Sequence, residues 1–276
     1  MAGDLRKTWN DAATRFDDWG PPLRPCPEDI RIMQEMIADW HRVNHAGKPR
    51  IFLCGVTPEI VTMPWPFPFE MIGMDQAESM VHLVWPGDLP GIRRGVVGNW
   101  LASGLAQGSQ DVVVGDGGFA FFASPDAQKA LMAELHRVLS PAGLFLYRHF
   151  AQIENRESLD EVIAAARSSG IGSFHAFKWR LAMALQADSP SGVRQHDIWT
   201  AWRHANINPA KLPQPGWSER AVSTIDLYRD KQARLYFPTV REFSALLEEH
   251  YSGVEVRYPA YEMGERCPII AAKPRA

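Results

Sequence analysis

The chain has 276 residues and a formal net charge of −3, with 46% hydrophobic and 22% charged residues. That length holds one large domain, or one domain carrying a sizeable insertion, and the ordinary share of charge excludes wholesale disorder. Basic residues are scattered, with Arg93-Arg94 the one adjacent arginine pair, so no nucleic-acid partner is expected, because phosphates call for a concentrated basic surface.

The first segment, to about Arg24, reads as a short helix followed by a Gly20-Pro21-Pro22 turn. Its opening, Met1 to Arg6, lacks the apolar core of a signal peptide. A helix begins at Pro27-Glu28-Asp29, where proline and acids suit the first turn, and runs to about His45 with Ile30, Met33, Ile37 and Trp40 at helical spacing. The period then changes. Arg50 to Cys54 is a short apolar run stopped by Gly55, the form of a strand buried on both faces of a parallel sheet. Thr57 and Pro58 open a helix that Pro64, Pro66 and Pro68 cut off. Further strands read as Phe69–Met74, Val96–Gly98, Asp111–Asp116 and Gly143–Tyr147, with a helix over Ser124–Leu139 before the last. Strands alternating with helices at this pitch predict a parallel sheet with crossover helices.

From about Ala151 to Phe237 the pattern turns helical, over Leu159–Arg167, Phe174–Gln186, Val193–Ala205 and Glu219–Tyr236, with a proline-rich loop from Asn208 to Gly216. A helix from Pro238 to His250 and strands at Gly253–Tyr258 and Cys267–Ala272 close the chain. The expected organisation is a helical lead (1–49), a Rossmann-like core (50–150), a helical insertion (151–237) and a final helix with two strands (238–276). The three cysteines show neither zinc nor redox spacing, and no uncharged apolar run approaches the roughly 20 residues of a membrane span. A reduced, soluble, cytoplasmic protein with no membrane partner is the expectation.

Four features fall just after the first four strands: Gly55-Val56-Thr57-Pro58, Asp75, Gly98-Asn99-Trp100 and Asp116-Gly117-Gly118. Ligands of open parallel sheets bind beyond the carboxyl ends of the strands, where strand order reverses. A glycine lets the backbone approach a ligand closely. A carboxylate about 20 residues after it suits a ribose diol. Asn99 offers a donor and an acceptor to a base edge, and Trp100 an apolar wall. Each signal alone is weak, since a lone Asp after a strand is more often a helix cap; their shared register gives them weight.

Residues 50–150 resemble the core of a class I S-adenosylmethionine-dependent methyltransferase. Ile51 to Glu59 resembles the Leu-Gly-Val-Thr-Pro-Glu first motif of a bacterial branch of that family. Met74-Asp75-Gln76-Ala77-Glu78-Ser79-Met80 is similar to its Asp-x-Ser-x-x-Met, with Ala77 for the serine, and Gly98-Asn99-Trp100 to its Gly-Asp-Trp, with Asn99 for the aspartate. Ser109 to Gly117, and Leu135 to Leu144, resemble the segments leading into its fourth and fifth strands. The resemblance implies a mostly parallel seven-stranded α/β sheet with helices on both faces. It also implies S-adenosyl-L-methionine as cofactor, held by Gly55, Val56, Thr57, Pro58, Asp75, Gln76, Met80, Asn99, Trp100, Asp116 and Gly117. One departure is the single glycine in the first loop, which suits a cofactor without phosphate better than a dinucleotide. The branch's tryptophan-rich lead is matched by Trp9 and Trp19, and its Pro-Leu-Arg-Pro by Pro22 to Pro25. By the resemblance these cover the site, with Arg24 paired to the cofactor's carboxylate.

Methyl transfer is an in-line displacement that needs a base only where the nucleophile must lose a proton. Asp116, His149 and His175 are the candidates, although an ordinary structural role is the commoner fate of such histidines. No acidic triplet suggests a metal. The insertion, rich in Phe174, Phe177, Trp179, Trp199, Trp202 and Tyr228, is expected to cap a small-molecule substrate or to pair two copies of the chain, most of these aromatics serving its own core. The competing readings are an S-adenosylmethionine-binding protein without activity and a different Rossmann-like enzyme using a nicotinamide.

Overall fold

The computed structural model describes residues 2–44, 47–168, 170–212 and 217–275. A lead of two helices, α1 (Ala2–Ala13) and α2 (Pro27–Asn44), precedes β1 (Arg50–Cys54); the expected end of α2 at His45 lies outside the described residues. Then follow α3 (Pro58–Thr62), β2 (Glu70–Asp75), α4 (Glu78–Leu83), β3 (Arg93–Val97), β4 (Gln110–Asp116), α5 (Asp126–Val138) and β5 (Leu139–Arg148). After the insertion come α10 (Val240–Leu247), β8 (Tyr251–Arg257) and β9 (Ile269–Pro274), the insertion itself holding α6 to α9 and β6 to β7, given below.

Among the described residues these strands form one seven-stranded sheet in the order β3-β2-β1-β4-β5-β9-β8. The first five are parallel, and β9 runs antiparallel between β5 and β8. Strand order reverses between β1 and β4. Alternate residues face opposite sides, as the pleat requires. Ile51, Leu53, Val112, Val114, Leu144 and Leu146 pack with α2 residues such as Met33 and Ile37. Phe52, Val113, Phe145 and Ile270 pack on the other face with Leu131 and Leu135 of α5 and Phe243 and Leu247 of α10. Both faces are thus covered, which explains why β1 reads as a continuous apolar run. The architecture is a Rossmann-like methyltransferase fold. Among the described residues no helix is long and apolar enough to cross a membrane.

The insertion holds α6 (Leu159–Arg167), α7 (Phe174–Leu185), β6 (Val193–Arg194), α8 (Gln195–Ala205), α9 (Glu219–Ser223) and β7 (Arg234–Leu235). The first follows a capping box in which Ser158 and Glu161 satisfy each other's backbone N–H groups. Phe174, Phe177, Trp202 and Trp217 form a separate apolar core. Two expectations fail here. Val193 and Arg194 are not helical; they pair antiparallel with Leu235 and Arg234. The segment Glu219–Tyr236 is not one helix: α9 passes into a 3₁₀ turn over Thr224–Tyr228, and Asp230, at φ +59°, sets a left-handed bend that a helix cannot contain. Of the expected Asn208–Gly216 loop, Pro209–Lys211 is a 3₁₀ turn, and residues 213–216 lie outside the described residues. The chain after β7 is anchored on the core, because the Tyr236 N–H donates to the Ala120 carbonyl at 2.8 Å.

Candidate functional site

The carboxyl ends of β1 and β4 flank the switch point, and a cavity of about 400 Å³ opens there. This lies within the size range of small-molecule sites. Gly55 follows β1 at φ +106°, a conformation closed to most side chains. Its N–H donates to the Met74 carbonyl at 2.8 Å, which locks the first turn to β2.

Asp75, the last residue of β2, is 9% exposed and lines the cavity. Its Oδ1 accepts the Ala77 N–H at 2.8 Å, yet burial still pushes the carboxyl up to about 6. Gly98 packs over Met74, where an added Cβ would lie 2.7 Å from the sulfur. Trp100 donates its indole N–H to the Met74 carbonyl at 2.6 Å and stacks on Phe122, with ring centroids 6.0 Å apart. Asn99 lines the exposed rim, where its Oδ1 accepts the Leu101 N–H at 3.1 Å.

Asp116 ends β4 against the cavity and accepts from Arg148 Nε at 2.6 Å. Burial outweighs that guanidinium and holds the Asp116 carboxyl at about 6. Arg148 is fully buried; its Nη1 donates to the Pro22 carbonyl at 2.9 Å and lies 3.5 Å from Asp29 of α2. The Tyr261 hydroxyl donates to the same Asp29 carboxylate at 3.0 Å. One buried cation therefore ties the lead, β4 and β5 together.

Trp9 and Trp19 line the cavity, their rings 5.6 Å apart, and Trp9 meets Phe121 edge-on at 4.9 Å. Arg24 lines it too, but its guanidinium is engaged: Nε donates to Glu59 at 2.6 Å and the group lies 4.4 Å over the Phe16 ring.

The cavity therefore gathers Gly55, Val56, Thr57, Asp75, Gln76, Met80, Asn99, Trp100, Asp116, Gly117, Arg24, Trp9 and Trp19 on one surface. Pro58 does not line it; it opens α3. Neither histidine does. His149 stacks on Phe243 at 3.9 Å inside the core, where burial pushes it down to about 3. The His175 ring lies 3.0 Å from the Asp18 carbonyl and is pushed down to about 4, again chiefly by burial. Asp116 is the one base candidate on the cavity wall. Arg148 is a residue that sequence reasoning passed over, though a charge closing the apolar run Leu144–Tyr147 was a visible signal. Gln195, Phe122, Phe150 and Tyr236, also on the wall, carried none. Among the described residues no group of three or more His, Cys, Asp or Glu is placed to hold a metal.

No family model matches the chain, and no curated protein matches it. Solved structures resemble it in fold. A protein from Rhodobacter sphaeroides, provisionally named a Zn-dependent alcohol dehydrogenase, is 12% identical with a TM-score of 0.65, and all of each chain is covered. The 1,6-didemethyltoxoflavin-N1-methyltransferase of Burkholderia thailandensis, solved with 1,6-didemethyltoxoflavin and S-adenosylhomocysteine bound, is 13% identical with a TM-score of 0.55, over all of this chain and 89% of that one. A SAM-dependent methyltransferase from Methanosarcina mazei is 14% identical with a TM-score of 0.50, over 91% and 99% of the two chains. At such identities the likeness is one of fold.

Proposed function

We propose that this chain is an S-adenosylmethionine-dependent methyltransferase, of the bacterial branch its first motif resembles, acting on a small-molecule acceptor. One observation carries the reading: the loops after four successive strands meet on one cavity, with the buried Asp75 carboxylate and the left-handed Gly55 side by side on its wall. Burial raises the energy of the ionised Asp75, so a carboxylate at this place on the wall is best understood as service to a ligand with hydroxyls to donate. The name and bound S-adenosylhomocysteine of the Burkholderia neighbour agree with that cofactor class.

The residues fit the cofactor. Asp75 accepts from the ribose hydroxyls; Gly55 lets the backbone close in without a Cβ; Gln76, Met80 and Asn99 border the base; Trp100 is held as a wall by its bond to Met74. A pyrophosphate finds less here, since Pro58 has no N–H and α3 is five residues long. Bound at this point, S-adenosylmethionine supplies an electrophilic methyl group on a sulfonium. The chain's own work is to orient and to exclude water. Trp9, Trp19 and Phe121 close the lead side, and Asp116, steadied by Arg148, presents a carboxylate at the β4 rim able to take a proton from an acceptor that must lose one.

Calorimetric titration with S-adenosylhomocysteine, beside NADH, tests this. Saturable binding of the first alone is expected; binding of NADH alone, or of neither, rejects the reading. Arg24 has its own check. If it swings from Glu59 to the cofactor's carboxylate, Arg24→Ala weakens S-adenosylhomocysteine binding by roughly tenfold, the scale of one charge-assisted hydrogen bond. Binding of 5′-methylthioadenosine, which lacks the amino-acid moiety, stays as in wild type. Equal losses for both ligands would place Arg24 in the scaffold only.

A further inference from the structure

Gln195 opens α8 and lines the cavity from the insertion side with no exposed surface. Among the described residues neither its Oε1 nor its Nε2 has a hydrogen-bond partner. A primary amide buried in that state is uncommon and costly, and in a cavity wall it is a donor and an acceptor held ready. The residue is fixed at its base: its N–H donates to the Ala233 carbonyl at 2.9 Å, directly beside the β6–β7 pair. Trp179, on the same wall, has a buried indole N–H that likewise lacks a partner among the described residues, and its ring meets Phe150 edge-on at 5.3 Å. The guanidinium of the neighbouring Arg234 is turned to the Ser191 and Gly192 carbonyls. This side of the cavity therefore combines aromatic rings with neutral polar groups that lack partners among the described residues, and its one cation, Arg234, is engaged by backbone carbonyls.

We propose that Gln195 reads the methyl acceptor, and that the acceptor is a planar, uncharged heteroaromatic with an N–H beside a C=O, a lactam edge. The amide oxygen of Gln195 accepts from that N–H and its NH₂ donates to that C=O, while Trp179 donates to a further acceptor atom. Aromatic walls select the flat ring, and the amide selects the edge, because a site built around hydrogen-bonding groups rejects an analogue that leaves them unpaired. The inference rests on the methyltransferase reading for the word acceptor, but the recognition itself is tested separately.

The probes are quinolin-2(1H)-one, which has the edge, quinoline, which lacks it, and 2-aminoquinoline, whose edge pairs a donor with an acceptor when neutral and carries donors alone once the ring nitrogen is protonated. Each is titrated calorimetrically into the protein with and without saturating S-adenosylhomocysteine. In wild type the lactam binds at least roughly tenfold more tightly than quinoline. Gln195→Leu erases that preference with S-adenosylhomocysteine affinity unchanged, and Gln195→Glu turns it toward 2-aminoquinoline, a reversal that a merely structural residue would not produce. Absence of a lactam preference in wild type, whether both compounds bind or neither does, overturns the proposal, and so does a preference that survives Gln195→Leu. Failure of S-adenosylhomocysteine to bind strikes the methyltransferase reading instead, while the titrations without it still decide the role of Gln195.

Discussion

Asp75→Asn is expected to weaken S-adenosylhomocysteine binding by roughly a hundredfold, the scale of hydrogen bonds to a charged acceptor, and at the same time to make the folded protein more stable. Burial lifts this carboxyl from 3.8 to about 6. A folded-state value above the unfolded one means that the native state disfavours the ionised form. The penalty is absent below about pH 4, where the carboxyl is protonated folded or unfolded; it grows as pH rises toward 6 and is complete above. At about 1.4 kcal/mol per unit it reaches up to about 3 kcal/mol at neutral pH. The asparagine keeps an oxygen for the Ala77 N–H and removes the charge. Melting curves at pH 7.5 should therefore move upward in the variant and coincide with wild type near pH 4. Binding to the wild type should fall by roughly tenfold between pH 7.5 and pH 5 as the carboxylate is lost. Asp116 sits in the same range, so the difference between wild type and variant isolates Asp75. A variant that binds as wild type takes Asp75 out of the site; one that melts lower at pH 7.5 makes its carboxylate a structural group.

Arg148→Met carries the opposite sign and a larger cost. The substitution keeps an unbranched apolar stem but leaves Asp116, 2.6 Å from the lost Nε, and Asp29, 3.5 Å from the lost Nη1, as buried carboxylates without a countercharge. Breaking a buried pair on one side costs about 3–5 kcal/mol. The midpoint of urea unfolding at pH 7.5 should drop accordingly. The deficit should narrow as pH falls through about 6 and Asp116 protonates, and adding Asp116→Asn should recover part of it. A variant within about 1 kcal/mol of wild type would show that solvent or the lead rearranges to satisfy both acids.

What could be read from the sequence follows from which interactions are local. Ile51 to Cys54 announce β1 because a strand buried on both faces is apolar throughout, and Gly55, Asp75 and Trp100 stand out as cavity-lining candidates because each lies at or just past the end of a strand that could be placed. Strand limits drifted where the ladder is irregular: β5 starts at Leu139, before Pro141 and Gly143, and its pairing with β4 shifts between Gln110 and Val112. The Glu219–Tyr236 segment was misread because helical spacing says nothing of the left-handed Asp230 or of Val193 pairing with Leu235 across the insertion. Arg148 was missed for the same reason, its carbonyl partner Pro22 lying 126 residues away in sequence. His149 and His175 looked equal to Asp116 as bases; only packing separates a ring stacked on Phe243 from a carboxylate at a rim. Gln195 at a helix start resembles any solvent-facing amide until the β6–β7 pair buries it.

Four of the ten tryptophans, Trp9, Trp19, Trp100 and Trp179, stand on the wall of one cavity. Indole emission follows the polarity and the contacts of the ring, so this protein carries its own optical probe at the place where ligands would lie. Trp100 reports from beside β1 and β2, Trp179 from the insertion, and Trp9 with Trp19 from the lead. Single replacements by phenylalanine would sort their signals, so that occupancy of the two halves of the cavity could be followed in time on unlabelled protein, one compartment by its own light and then the other.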